Sequence, residues 1–441
     1  MVERSRLKSI FAIAVPIILG LLSQTVMNLV DTSMVREAGN AALAAVGIAS
    51  FANFMAGAPI MGLSAGVQAL SARRMGEGRR GECALPLNGG LAICLAFGVP
   101  WVLGIALLAP IWFPRLAGSP EIAEVGLPYM YCRLAATVLV GMHFSFRAFW
   151  NATGRSTFYM INLLVMHSLN VLLDWVLIYG KFGAPKLGVL GAGIASASAA
   201  VVGVSLHFYV GYRDARSQGF LSALPSRQEL AAMLRISLPT SLQQLFFAAG
   251  MTALMAILAR ASTATAAATK VLMDLSLAAM LPAMGFGMAG TTLVSQALGR
   301  RDALDAKRWG FEVARVGALT VVLLSLPALF FPHAVLARFL NDPGTVAYAA
   351  QPLRIMAATI FIDAAGMVLQ SCLIGAGDSR RVMLVALLMQ WAVFLPCVAA
   401  LVLWLSMGLV EVWVLQAVYR GAQAFVFYRL WRSGRWMTIK M

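Results

Sequence analysis

Apolar stretches long enough to cross a bilayer follow one another along nearly the whole chain, separated by short segments rich in Gly, Pro and basic residues. Hydropathy and turn signals predict twelve helices, near 9–34, 42–72, 84–110, 122–150, 157–180, 188–212, 230–259, 264–298, 310–332, 345–374, 382–406 and 408–430. The expected fold class is an all-α integral membrane protein. Composition agrees: 60% of the 441 residues are hydrophobic and 12% charged, where a soluble domain has roughly 45–50% and about 25%. Arg4, Arg6 and Lys8 precede the first apolar run as in a signal peptide, but the run is long and no small-residue cleavage site stands out, so an uncleaved first span is expected.

The pattern repeats. Sliding the chain by 223 residues aligns Pro16 with Pro239, Pro59 with Pro282, Gly62 with Gly285, Gly76 with Gly299 and Gly154 with Gly377, without a gap. Five Gly and Pro positions held at one offset indicate a duplicated unit of six spans. Six is even, so both copies enter the membrane in the same orientation, as a parallel repeat. The expected division is an N-lobe over 1–212, a basic link over 213–229 and a C-lobe over 230–441. Transporters place their sites within or between such halves and alternate access by rocking one against the other.

The net charge of +16 does not call for nucleic acid, because cytoplasmic loops of membrane proteins collect Lys and Arg. With a cytoplasmic N-terminus, 21 of the 34 basic residues fall in inside segments and only Arg36, Arg115, Lys181, Lys186, Arg260 and Arg338 outside. Both termini are therefore expected in the cytoplasm, and the bilayer itself is the macromolecular partner. Five cysteines, Cys83, Cys94, Cys132, Cys372 and Cys397, lack the paired spacing of a metal or redox motif and read as packing residues.

Against this apolar background two polar triplets stand out. Gln24, Asn28 and Asp31 lie in the first span, and His167, Asn170 and Asp174 in the fifth, each spaced for one helix face. Ionisable groups at membrane depth are costly unless they face protein or water, so each triplet is a candidate site. Two carboxylates in one site hold a proton between them more readily than either alone, which makes Asp31 and Asp174 candidates for proton binding. Asn170 can hydrogen-bond either protonation state, and His167 can extend a polar path. The competing reading is that these groups only cap, kink or join helices. Pro16 removes a backbone hydrogen bond from the first span and leaves a bend point.

Gln24, Asn28, Gln243 and Gln244 are candidates for lining a substrate cavity, because amides facing lipid are expensive. Met27 offers adaptable apolar surface, although methionine at helical spacing is more often packing. Asp363 in the tenth span is weighed equally as cavity lining and as structure. Lys270 and Asp274, four apart, read as a pair along one helix face. Arg133, Arg147, Arg315, Arg354 and Arg420 read as snorkelling side chains. Gly62-x-x-x-Gly66 and Gly188, Gly191 and Gly193 read as close helix contacts. Asn151-Ala-Thr153 matches a glycosylation acceptor pattern in a loop expected to face the cytoplasm.

The stretches NLVDTSMVREAGNAALAAVG (28–47) and LPAMGFGMAGTTLVSQALG (281–299), with the paired loops WNATGRS and IGAGDSR, resemble the multidrug and toxic compound extrusion (MATE) transporters over essentially the whole chain. The resemblance implies two six-helix lobes forming a V around a central cavity, and export of cationic or amphipathic compounds against inward H⁺ or Na⁺. In the DinF-like branch, the first-helix Asp and the fifth-helix Asn-x-x-x-Asp form an N-lobe proton site, and these fall on Asp31, Asn170 and Asp174. The NorM-like branch adds a seventh-helix Glu and a tenth-helix Asp. Here the seventh span has no acid while Asp363 stands in the tenth, so H⁺ coupling is expected over Na⁺ coupling.

The resemblance implies a monomer without a cofactor, in the plasma membrane, the inner membrane if the source is bacterial. No Gly-x-x-x-x-Gly-Lys-Ser/Thr loop points to ATP, and no His-Glu-x-x-His or Gly-x-Ser-x-Gly motif points to an enzyme. The principal alternative is a lipid-linked oligosaccharide flippase of the same superfamily, which is expected to line its cavity with Arg and Lys rather than with acids.

Overall fold

The computed structural model describes residues 3–37, 39–259, 263–405 and 408–439. Twelve long helices run through them: α1 (Arg4–Arg36), α2 (Asn40–Gly76), α3 (Arg80–Ala117), α4 (Pro120–Ala152), α5 (Ser156–Tyr179), α6 (Val189–Asp214), α7 (Arg227–Ala259), α8 (Thr263–Gly299), α9 (Ala303–Phe330), α10 (Pro343–Gly375), α11 (Ser379–Trp404) and α12 (Leu409–Ser433). No strand occurs among the described residues. The first eleven are long and apolar enough to cross a membrane. Helix α12 has 25 residues, about 37 Å of helix, but carries Glu411, Arg420, Arg429 and Arg432, which dilute its apolar run. Arg260 and Lys440, two of the basic residues used to orient the chain, lie outside the described residues.

Several helices are locally irregular. Helix α2 is interrupted at Gly62, where its backbone stays in the right-handed region. Helix α3 widens to a π-turn over Cys94–Gly98, and α11 does so over Leu388–Phe394 and Ala400–Trp404. The ninth helix ends at Phe330, within two residues of the expected 332, and a separate turn of helix, Pro332–Leu336, follows. Pro332 lacks the N–H that the helix ladder would need there.

The chain divides into two compact units, residues 19–241 and residues 1–18 with 242–441. The repeat's own boundary, at the 213–229 link, falls inside the first of these units. The start of each copy's first helix packs with the helices of the other copy, and the two breaks, after Ile18 and after Ser241, are themselves 223 residues apart. Each break falls two residues beyond a helix-interior proline, Pro16 or Pro239.

Side-chain periodicity explains the exchange. In the unit of residues 1–18 and 242–441, Ile10, Ile13, Ala14 and Ile17 share one face of α1 and are at most 7% exposed. A Cβ on Gly285 of α8 would lie 2.4 Å from Ile18 Cγ1. In the unit of residues 19–241, Met233, Ile236, Ser237 and Thr240 of α7 are likewise buried. There a Cβ on Gly62 of α2 would lie 1.9 Å from Ser241 Oγ, and one on Gly66 would lie 2.5 Å from Met233 O. Gly62 and Gly285, and Ser241 and Ile18, are repeat partners, so one close contact is built twice.

Ion pairs fix both exchanged segments. Arg6 pairs with Asp305, Nη1 to Oδ1 at 2.6 Å, and with Glu312, and stacks over Trp309 at 3.6 Å. Arg74 pairs with Glu229 and donates to Glu82 O at 2.6 Å. Arg6 and Glu229 occupy the same repeat position with opposite charge. The core of the 242–441 region gathers Leu254, Leu272, Leu353, Phe394, Val398, Val412 and Trp413. Asn151 is fully buried at the end of α4, which rules out the glycosylation reading on access alone. Lys270 and Asp274 form the expected pair at 2.6 Å with exposed side chains.

Candidate functional site

Both polar triplets lie in the unit of residues 19–241. Helix α5 turns its polar face inward: His167, Asn170 and Asp174 are 6%, 7% and 0% exposed, whereas Ile161, Leu164, Val165 and Leu172 on its other faces are exposed. That inversion of the soluble pattern suits a helix whose outer face meets lipid. Asn170 Nδ2 donates to Asp174 Oδ2 at 2.6 Å, across one helical turn.

The Asp174 carboxyl adjoins that of Asp31 on α1, and the Arg133 guanidinium of α4 is close enough to act on both. Asp31 Oδ1, Asp174 Oδ1 and Arg133 Nε are each buried without a hydrogen-bond partner among the described residues. Two carboxylates facing one another are both acceptors, so neither satisfies the other. One proton between them turns that contact into a hydrogen bond, and Arg133 offsets the remaining negative charge.

A second polar chain runs alongside. Ser23 Oγ and His167 Nδ1 are 2.8 Å apart, His167 Nε2 and Gln24 Oε1 are 3.2 Å apart, and Gln24 Nε2 donates to Asn28 Oδ1 at 3.1 Å. Because Gln24 Oε1 only accepts, His167 carries its proton on Nε2 and accepts from the Ser23 hydroxyl at Nδ1. His167 therefore joins α5 to α1 through Ser23 and Gln24, and its described hydrogen bonds reach neither Asn170 nor Asp174. Gln24 and Asn28 are exposed. Met27, offered as cavity lining, is only 3% exposed and packs inside the unit.

The other candidates belong to the second unit. Gln243 is half-buried and Gln244 exposed on α7. Asp363 on α10 is not a free carboxylate: Arg420 Nη1 of α12 lies 3.6 Å from its Oδ1. The snorkelling reading of Arg420 is thereby corrected, since its guanidinium turns to an acid within the unit and lies 5.3 and 5.9 Å from the rings of Tyr419 and Phe247. Arg147 stacks over Phe144 at 4.3 Å. Arg133 and Ser23 are the site residues that sequence reasoning missed. An arginine well inside α4 was the available signal, because a cation there needs an acid, and Asp31 and Asp174 were the unpaired acids of that half.

Pro16 lies inside α1, two residues before the chain passes from one unit to the other. Among the described residues no group of three or more His, Cys, Asp or Glu side chains is gathered for a metal.

Comparison with known proteins bears on this arrangement. The family model described as MatE matches residues 16–176 and 239–398. The two matched segments begin at the repeat partners Pro16 and Pro239. A probable multidrug resistance protein NorM from Thermotoga maritima is 23% identical over 97% of this chain and 93% of its own length. Its counterpart from Rhodopseudomonas palustris is 27% identical over 98% and 92%. A solved outward-facing structure of a MATE family transporter superposes with a TM-score of 0.89 at 21% identity, over 98% of this chain and 97% of that one. A MOP superfamily transporter from Pyrococcus furiosus, described as having a binding pocket of reversed polarity that suggests a different function, gives 0.86 at 22%, over 97% and 95%. At those identities the structural likeness shows the fold alone. The family model, however, spans most of both repeat copies, and on that ground the chain belongs to the MatE family: it is an integral, multi-pass membrane transporter and not an enzyme.

Proposed function

We propose that this chain is a secondary active multidrug efflux antiporter that exports cationic or amphipathic compounds in exchange for inward H⁺. The relatives named as multidrug resistance proteins support the substrate class. The observation that carries proton coupling is the Asp31–Asp174 carboxyl pair, with Asn170 donating to Asp174 at 2.6 Å and the Arg133 charge acting on both. A proton entering from outside joins the two carboxyls and draws α1 toward α5. Its loss on the inside separates them and restores negative charge that attracts the next cation. Proton binding moves the access equilibrium only as far as it favours one state over the other. Pro16, beside the point where α1 passes between units, is the place where the helix yields.

Lobes over 1–212 and 230–441, monomeric action, both termini in the cytoplasm and residence in the plasma membrane complete the reading. Gln24, Asn28, Gln243 and Gln244 are assigned to substrate contact. The Na⁺-coupled alternative has less support, because of the two acids expected of a C-lobe ion site only Asp363 is present, and it already has a cation at 3.6 Å. The acids at Asp31 and Asp174 equally disfavour a flippase for a pyrophosphate-linked lipid.

The test is proton flux on adding a lipophilic cation to proteoliposomes with an imposed pH gradient and no Na⁺. Cation-triggered H⁺ movement that Asp31→Asn and Asp174→Asn each abolish is the expected result. Flux that appears only with Na⁺, or that survives both substitutions, would overturn the assignment.

A further inference from the structure

A crevice of about 630 Å³ opens between α9, α10 and α12, lined by Lys307, Phe311, Ala314, Arg315, Ala318, Ala365, Leu369, Tyr428 and Arg432. It lies within one unit and shares no residue with the carboxyl site. Three of its nine lining residues are cations and none is an acid. Lys307, Arg315 and Arg432 form no ion pair among the described residues, although Lys307 Nζ donates to the Arg432 carbonyl at 2.9 Å. Phe311 and Tyr428 meet at 5.9 Å at its wall. The remaining lining, Ala314, Ala318, Ala365 and Leu369, is small and apolar.

The repeat shows that this crevice is not demanded by the shared architecture. At the offset of 223, Lys307 corresponds to Ala84, Phe311 to Asn88 and Arg315 to Ala92. In the first copy the chain covers the equivalent face: Asn88 Nδ2 donates to Gly219 O at 2.9 Å and to Ala223 O at 2.7 Å, and Asn88 Oδ1 accepts from Leu221 N at 3.0 Å. In the second copy an aromatic ring replaces that clasp, the face stays open and two cations are added.

The geometry points to a binding site for an anionic phospholipid, with the headgroup phosphate among Lys307, Arg315 and Arg432 and an acyl chain along the alanine and leucine wall. Unpaired cations beside an apolar groove complement a charged head on an apolar tail. The orientation read from the basic loops puts these ends of α9 and α12 at the cytoplasmic leaflet, where basic pockets between helices meet anionic lipid. A soluble anion would use the cations and leave the apolar wall bare.

Native mass spectrometry of the full-length protein, titrated with phosphatidylglycerol or phosphatidylcholine in detergent, tests the site. The expected result is retention of phosphatidylglycerol in clear excess over phosphatidylcholine. Each cation removed among Lys307→Gln, Arg315→Gln and Arg432→Gln should weaken retention about fivefold. The charge-retaining set Lys307→Arg, Arg315→Lys and Arg432→Lys should keep the preference, and inorganic phosphate should fail to compete. Equal retention of both lipids, a preference that survives the triple Gln variant, or displacement by inorganic phosphate would overturn the proposal. Should the triple variant not fold, Arg315→Gln alone, at an exposed position, carries the same test with a single step of about fivefold.

Discussion

Arg420 on α12 holds its Nη1 3.6 Å from Asp363 Oδ1 on α10, with the two side chains 23% and 20% exposed. A partly buried pair of this kind costs more to break than to delete, because removing one partner strands the other charge. Asp363→Asn and Arg420→Gln should each lower thermal stability, Arg420→Gln by about 3 kcal/mol, and the double variant should recover much of the loss. Melting of the four proteins in one detergent decides it; additive losses would show that the two groups do not interact.

The close approaches at Gly62 and Gly285 predict a steric series. A Cβ at either position would fall within 2.5 Å of a neighbouring helix, whereas Gly421 on α12 has nothing within 4 Å. Gly62→Val and Gly285→Val should yield little folded protein. Gly421→Ala should be neutral or gain up to about 1 kcal/mol from helix propensity. Size-exclusion yield after extraction is the readout, and a well-folded Gly62→Val would refute the close contact with Ser241.

Asn170 and His167 lie on the same face of α5 but serve different partners. Asn170→Ala removes the donor to Asp174 and should impair proton-coupled transport about as severely as loss of an aspartate. His167→Ala breaks only the link to Ser23 and Gln24. It should slow transport while leaving the number of protons moved per substrate unchanged. Side-by-side flux and stoichiometry measurements check this, and a changed stoichiometry in His167→Ala would place the histidine in the proton path.

Asp342, just before α10, accepts from Thr345 N at 2.7 Å and from Thr345 Oγ1 at 2.6 Å. These bonds, the side-chain one first, hold its carboxyl below the usual range. A depressed folded value means that the cap's contribution is present above the unfolded pKa and lost as pH falls through the folded one. Asp342→Ala should therefore melt below the native chain at pH 7, and the gap should close below about pH 4. A gap that does not change with pH would mean that the cap acts through packing alone.

The helices, the duplication and the membrane class were legible because each rests on local periodicity or on residues compared at one fixed offset. The faces carrying Gln24, Asn28 and Asp31, and His167, Asn170 and Asp174, were legible for the same reason. What those faces touch was not. His167 pairs across a separation of 143 residues with Gln24, and Arg133, read as a snorkelling side chain, is close enough to act electrostatically on the two aspartates.

The amino-acid sequence by itself determined that this is a twelve-helix duplicated membrane protein with two polar triplets, each on one helix face, since spacing along a helix dictates which residues share a face and apolar length dictates what can span a bilayer. Only the tertiary structure decided that each copy lends the start of its first helix to the other unit, that Asp363 is answered by Arg420, that Met27 is core, and that the second copy leaves a basic crevice open. Those outcomes depend on contacts between segments far apart in the chain, which are selected by packing and charge pairing once the helices have assembled.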